Sequence, residues 1–277
     1  MGRNLNQQVI VITGASSGIG AATAIECASA GMNVVINARR ADRLEAVAEK
    51  VRAAGGQVET VVGDVTDEGL SARMLDAAEQ RFDRLDAVFA NAGYGFRKPA
   101  HLVTSEELRH IFEVDFFASV DLVNAAAKRM IARGNGGHLL MCSSCLAKFT
   151  LVGYSAYSAA KAAQNHICRA MNVELKPHRI HVSSVHPVTT TTEFFSVVES
   201  HGGRRVDPNA VPGHASGLFV QSSERVARAV VKCLGRPRPE VWTSFTTRAV
   251  AAVMTLWPGA MDLVMQKAAR ADEKKEL

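Results

Sequence analysis

Val9-Ile-Val-Ile-Thr13 is a β-branched run that passes directly into Gly14-Ala-Ser-Ser-Gly18-Ile-Gly20 and then into a helical stretch from Ala21 to Ala30. A strand, a glycine turn and a helix in that order commit the start of the chain to an α/β arrangement. Glycines let backbone N–H groups approach an anion such as a pyrophosphate, and a helix N-terminus adds a favourable dipole. The spacing is G-x-x-x-G-x-G, which differs from the G-x-G-x-x-G of many dinucleotide sites. Taken alone, it would also serve as a plain tight connection.

The alternation continues along the chain. Asn33–Asn37 reads as a second strand and leads to a helix ending near Ala54, with Leu44, Val47 and Val51 on its apolar face. Gln57–Val62 is a third strand, Asp67–Phe82 a helix, Leu85–Ala90 a fourth strand, and Ser105–Arg133 one long helix. His138–Cys142 is β-like, a helix through Tyr157 runs to about Leu175, and His181–His186 supplies a sixth strand. Repeated in this way, the pattern predicts a Rossmann-type doubly wound parallel sheet with helices on both faces. The 277 residues suit one such domain.

Composition excludes several classes of function. With 47% hydrophobic and 21% charged residues and no low-complexity segment, the chain reads as soluble and globular. The net charge of +5 is spread without a basic block, so anionic small ligands account for it and no nucleic acid is expected. Met1–Gln8 is polar and leaves no room for a secretory apolar segment, which predicts a cytoplasmic protein. Five cysteines, an odd number, argue for reduced thiols, and Cys142-Ser-Ser-Cys145 closes a strand instead of opening a helix as a redox motif would. Nine histidines form no HExxH and no Cys/His cluster, so no metal is predicted.

Chemistry concentrates in Ser144–Lys161. Tyr157 and Lys161 are an i,i+4 pair, which on a helix places an ammonium near a phenol and favours the phenolate. Ser144 lies at the end of the β-like run, where its hydroxyl could meet the same substrate oxygen. Such a group suits a carbonyl gaining or losing a proton. A surface tyrosine stacked on a lysine stem would give the same Tyr-x-x-x-Lys.

Thr13-Gly14-x-x-x-Gly18-Ile19-Gly20 with Asn91-Ala92-Gly93, Ser144, Tyr157 and Lys161, in this order and spacing, resembles the short-chain dehydrogenase/reductase family over about residues 8 to 195. The resemblance implies hydride transfer between a nicotinamide cofactor and a hydrophobic carbonyl or secondary alcohol. Tyr157 would be the acid/base and Ser144 would orient the substrate oxygen. Lys161 would hold the nicotinamide ribose and lower the tyrosine pKa. Gly14, Ser16, Ser17, Gly18, Ile19 and Gly20 would cradle the cofactor phosphates. Asp64 and Val65 would flank the adenine, with a turn or helix cap as the alternative for Asp64. Asn91, Ala92 and Gly93 would line the adenosine side. Pro187 and Val188, with Thr190 and Thr192, would meet the nicotinamide end; Val188 stands where the family usually has glycine, which restricts the backbone. A homodimer or homotetramer is the assembly expected.

After the second strand, an acidic residue would hold a ribose 2′-hydroxyl. Ala38 occupies that place and Arg39 and Arg40 follow, cations that oppose a helix dipole unless an anion sits between them. A 2′-phosphate fits, so NADP is favoured over NAD; two solvated arginines with Asp42 nearby are the alternative.

Asp115 takes a position at which the family usually carries asparagine, thought to hold a water joining the active-site lysine to solvent. The aspartate could accept from that water, pair with Lys161, or accept from backbone N–H groups. Glu193–Gly217 is irregular, and residues 189–217 are read as a substrate flap. Tyr94, Phe96, Phe149, Phe194 and Phe195 are candidates for a hydrophobic pocket, with core packing as the alternative. Thr246–Ala271 is an apolar helical extension broken at Pro258-Gly259, too short to span a bilayer. Packing on the body or on a second subunit is preferred to contact with a membrane surface. A different class of reading is a catalytically weak NADP-binding sensor or scaffold, against which the intact Ser144, Tyr157 and Lys161 count. Sugar-nucleotide epimerases and dehydratases share the tyrosine and lysine but usually differ in glycine spacing.

Overall fold

The computed structural model describes residues 2–190 and 220–259, together with 262, 263, 265 and 266. Strands β1 (Val9–Ile12), β2 (Asn33–Ala38), β3 (Val58–Val62), β4 (Ala87–Ala90), β5 (Gly137–Cys142) and β6 (Ile180–His186) fall where the apolar runs predict them. They join β9 (Glu240–Trp242) in one parallel sheet of order β3-β2-β1-β4-β5-β6-β9. Thr189–Thr190 (β7) and Val220–Gln221 (β8) form a separate parallel pair.

Both faces of the sheet are covered, which is why the central strands are apolar throughout instead of alternating. Ile10, Ile12, Val34 and Ile36 point to one side, where they meet α1 (Gly18–Ser29), α2 (Ala41–Ala53) and α7 (Ser223–Gly235) through Ala24, Cys27, Leu44, Val226 and Val230. Val9, Val11 and Val35 point to the other. There they meet α3 (Leu70–Phe82), α5 (Ala118–Arg133) and α6 (Ser155–Glu174) through Met74, Leu75, Leu122, Val123 and Cys168.

Three of the expected helices differ from the sequence reading. The helix expected from Asp67 starts at Leu70, because Asp67 accepts from the Asp64 N–H in a turn and Gly69 takes a left-handed conformation. The long helix from Ser105 is interrupted. It divides into α4 (Ser105–Phe112), a π-helical turn at Glu113–Phe117, and α5. The apolar C-terminal stretch is helical over α8 (Phe245–Leu256), with Trp257 outside it before Pro258 and Gly259. No helix among the described residues is long and apolar enough to cross a membrane.

The order reverses at β1, which pairs with β2 on one side and β4 on the other. The helices that follow β1 and β4 therefore go to opposite faces of the sheet, and the crevice at the carboxyl edge of such a reversal is where doubly wound folds bind ligands.

Candidate active site

The glycine turn after β1 is locked to the turn after β4. Thr13 Oγ1 accepts from both the Asn91 and Ala92 N–H groups at 3.0 Å, and the Asn91 side chain donates to the Thr13 carbonyl at 3.0 Å. The packing leaves no room for side chains. A Cβ on Gly14, whose φ is +65°, would lie 2.8 Å from Ala92 Cα, and one on Gly20 would lie 2.3 Å from the Gly14 carbonyl oxygen. Gly18 also has positive φ, and Ser17 is the N-cap of α1 without capping it through its side chain. No acidic residue stands in the first turn of α1, so its free N–H groups keep their attraction for an anion. The bare turn and uncapped helix fit the pyrophosphate of a dinucleotide.

Arg39 and Arg40 flank this turn. Arg40 donates to Ser16 Oγ at 3.3 Å and Ser17 Oγ at 3.4 Å, while Arg39 pairs with Asp64 at 3.3 Å. Burial raises the Asp64 carboxyl, but bonds from Thr66 and Arg39 outweigh it and leave the group below its ordinary value. Asp64 is thus a turn residue as well as a neighbour of the crevice. The buried Asn37 side chain donates to the Val61 and Gly63 carbonyls at 2.9 and 3.1 Å and holds the ends of β2 and β3 together. Thr192, Phe194 and Phe195 lie outside the described residues, as does most of the expected flap.

The second half of the site forms where β5 meets α6. Beyond Cys142 the chain makes a short 3₁₀ turn, Cys145–Ala147, with Ser144 as its N-cap. Ser144 Oγ accepts from the Leu146 N–H at 3.1 Å and is hydrogen-bonded to the Tyr157 phenol. Tyr157 and Lys161 sit one turn apart on α6, with Lys161 Nζ 5.7 Å from the centre of the tyrosine ring. The ammonium donates to the Cys142 carbonyl at 2.9 Å. It also lies 3.1 Å from Asp115 Oδ2, and both side chains are buried.

Asp115 lies in the π turn with its side chain buried. Its Oδ1 accepts from the Tyr94 N–H at 2.9 Å, so the structure shows two of the three contacts open to it, the lysine and a backbone N–H. Burial raises its pKa, partly opposed by Lys161 and the Tyr94 bond. The Tyr157 phenol lies well above the ordinary tyrosine value, first because it is buried and next because Asp115 is close; the bond from Ser144 works the other way. The lowering expected from Lys161 is offset in this chain by the carboxylate beside it.

Beside the phenol, Phe96, Ile111 and Ala156 form a small apolar cluster, with Tyr94, Val103, Phe112 and Tyr157 packed against it. Tyr94 and Phe96 therefore do adjoin the reactive group. Pro187 accepts from the Cys145 N–H at 3.0 Å, and Val188 is buried next to it.

One network behind Ser144 is absent from the sequence reading. His186 Nδ1 lies 2.8 Å from the Ser144 carbonyl oxygen, and its ring stacks on Trp242 at 4.5 Å between centroids. Glu240 receives bonds from Trp242 Nε1 at 2.9 Å, Lys148 at 2.7 Å and Arg169 at 3.0 Å. Burial lowers the His186 pKa to about 4, so it is neutral, and a donor Nδ1–H fits the carbonyl it faces. The strand-like ending Ser-Ser-Val-His before Pro187 was its one signal in the sequence.

A sequence model of the short chain dehydrogenase family matches residues 8–202. A 1-deoxy-11-beta-hydroxypentalenate dehydrogenase from Streptomyces exfoliatus is 32% identical over 237 residues, 85% of this chain and 82% of that protein. A short chain dehydrogenase from Mycobacterium paratuberculosis, solved bound to NAD, superposes with a TM-score of 0.75 at 25% identity, covering 87% of this chain and 97% of that one. An alcohol dehydrogenase from the archaeon Thermococcus sibiricus, solved with 5-hydroxy-NADP, gives 0.73 at 25% identity over 86% of this chain and 96% of that one. The chain belongs to the short-chain dehydrogenase/reductase family. It is an NAD(P)-dependent oxidoreductase with a Rossmann-type fold.

Proposed function

We propose that the protein transfers a hydride between NADP(H) and a hydrophobic carbonyl or secondary alcohol. The observation that carries this reading is the convergence of Ser144, Tyr157 and Lys161 at the carboxyl edge of the sheet, beside the glycine turn. When bound, the nicotinamide supplies or takes up the hydride.

The residues of the chain do the rest. Ser144, whose oxygen is already engaged by the Leu146 N–H, orients and polarises the substrate oxygen. Tyr157 gives that oxygen its proton in reduction and takes it back in oxidation. Lys161, anchored on the Cys142 carbonyl, faces the place of the nicotinamide ribose. Gly14, Gly18 and Gly20 with the N-terminus of α1 hold the phosphates, while Asn91, Ala92 and Gly93, with Asp64 and Val65, border the adenosine. Pro187, Val188, Thr190 and Thr192 belong to the nicotinamide end.

Support for NADP over NAD comes from Arg40, which places a cation beside Ser16 and Ser17 where a 2′-phosphate would lie, and from Arg39 next to it, which pairs with Asp64. The cluster around Phe96 supports an apolar substrate. We read the whole chain as one domain, since β9 completes the sheet that β1 begins. Exposed Leu108 on α4 and Phe117 at the end of the π turn support self-association as a homodimer or homotetramer.

The test is oxidation of NADPH against NADH by purified protein over a panel of hydrophobic ketones, aldehydes and quinones, with Tyr157→Phe as control. Turnover preferring NADPH and lost in the variant is expected. Retained turnover in the variant would refute Tyr157 as the proton donor. Tight NADPH binding without turnover on any member would favour the sensor reading.

A further inference from the structure

Lys161 is the cation expected to help Tyr157 ionise, yet its charge is already met. Asp115 Oδ2 lies 3.1 Å from the ammonium, the carboxylate is fully buried, and its other oxygen takes the Tyr94 N–H at 2.9 Å. The ammonium, at ion-pair distance, and the Tyr94 N–H both favour the carboxylate form and oppose the burial that raises its pKa. Even were the proton to cross between the two groups, their sum would stay zero. Gly93 covers the pair so closely that a Cβ there would lie 3.1 Å from both Asp115 Oδ1 and Lys161 Nζ.

Among the described residues, no other charge near Tyr157 breaks this balance. From β5 and the turn after it come the Cys142 and Cys145 thiols, each pushed by burial up to about 11 and therefore neutral. From the turn after β4 comes Tyr94, pushed by burial up to about 12. From β6 comes the neutral His186 behind Ser144. From α4 come His110, exposed and 5.5 Å from the Tyr94 ring, and Glu107, neutralised by Lys98 at 2.8 Å.

We propose that Asp115 sets the working range of the reaction. By cancelling the Lys161 ammonium it keeps Tyr157 in its proton-donating form, so that carbonyl reduction runs at neutral pH and alcohol oxidation only in alkaline solution. In reduction the hydride adds to the carbonyl carbon and the C=O π pair moves to oxygen. That oxygen takes the Tyr157 proton, the nicotinamide is left oxidised, and the phenolate regains a proton from solvent. Oxidation is the reverse and needs the phenolate at the start. The overall equilibrium is untouched; the pH at which each direction becomes fast is what Asp115 moves. This rests on Tyr157 as the acid/base.

The experiment compares wild type with Asp115→Asn, which keeps the size of the side chain and an acceptor for the Tyr94 N–H. The first readout is tyrosinate absorbance of the free protein against pH, with Tyr157→Phe subtracted to isolate one phenol. A unit charge at the 5.7 Å that separates Lys161 Nζ from the tyrosine ring, with an effective dielectric of about 20, moves a titration by about two pH units, so Tyr157 should ionise about two units lower once that charge is uncancelled. The second is the acid limb of kcat for alcohol oxidation, which should fall by about one to two units. Coincident titrations, both silent up to the alkaline limit of the fold included, or an unmoved acid limb would overturn the proposal. Asp115→Ser repeats the test if the amide does not fit. Turnover retained by Tyr157→Phe would instead sink the underlying assignment, and the absorbance titration, which needs no turnover, separates the two failures.

Discussion

Replacing Glu240 with glutamine should destabilise the protein at pH 7 and leave it nearly unaffected in acid. The carboxylate collects Lys148 at 2.7 Å, Arg169 at 3.0 Å and the Trp242 indole at 2.9 Å. Burial opposes its ionisation, but the bonds from Lys148 and Trp242 and the nearby charges prevail and hold its pKa at about 2. A drop of that size from 4.5 is worth about 3 kcal/mol at most. The side chain is 20% exposed and Arg169 is 58% exposed, so solvent screening reduces the expected loss to about 1–2 kcal/mol. For a chain of this size that lowers Tm by about 2–4 °C. Because the folded pKa is depressed, the stabilisation is complete above the unfolded value near 4.5 and disappears as pH falls through that value towards 2. Melting of wild type and Glu240→Gln from pH 7 down to the lowest pH at which both fold should show a gap that closes below about 4.5. A gap of equal size at pH 7 and pH 3, or none at pH 7, would refute the reasoning. Since Trp242 stacks on His186, which meets the Ser144 carbonyl, turnover should fall beyond what lost stability explains.

Two further substitutions probe the cofactor edge. Gly20→Ala forces a methyl to within 2.3 Å of the Gly14 carbonyl and 2.7 Å of the Asn91 amide. Overpacking of about 1–3 kcal/mol should outweigh the helix-propensity gain of about 0.5–1 kcal/mol, and dinucleotide affinity, read by tryptophan fluorescence, should drop at least about tenfold; a stabilised variant with wild-type affinity would contradict the close packing. Thr13→Val orphans the Asn91 and Ala92 N–H groups and should cost about 2–4 kcal/mol in urea unfolding, whereas Thr13→Ser, which keeps the oxygen, should cost under about 1 kcal/mol. Equal losses in the two variants would show that the hydroxyl is not what holds the turns together.

What could be read from the sequence divides by range. The central strands and their helices were legible because Val9–Ile12 and Asn33–Ala38 are buried on both faces and so carry unbroken apolar runs between glycine turns. The meeting of Ser144 with Tyr157 was legible in outline, since a strand end and the helix after it return to one edge of a parallel sheet. Glu240–Trp242 was not, because three residues are too few for any period, and the partners that hold them are 92 and 71 residues away. The π turn escaped for a related reason: Glu113–Phe117 continues a good helical pattern, and the extra residue shows only in where its side chains point. Asp115, four residues after the buried Ile111 and four before the buried Ser119, lies within that turn on its inner side as the partner of Lys161. The substitution was visible as a letter, but its effect depends on distances that only the fold supplies. A carboxylate held 3.1 Å from the ammonium answers its charge directly, whereas one reaching it through water would leave much of that charge for Tyr157. On the proposed role of Asp115, the pH at which each direction becomes fast therefore depends on this one buried pair.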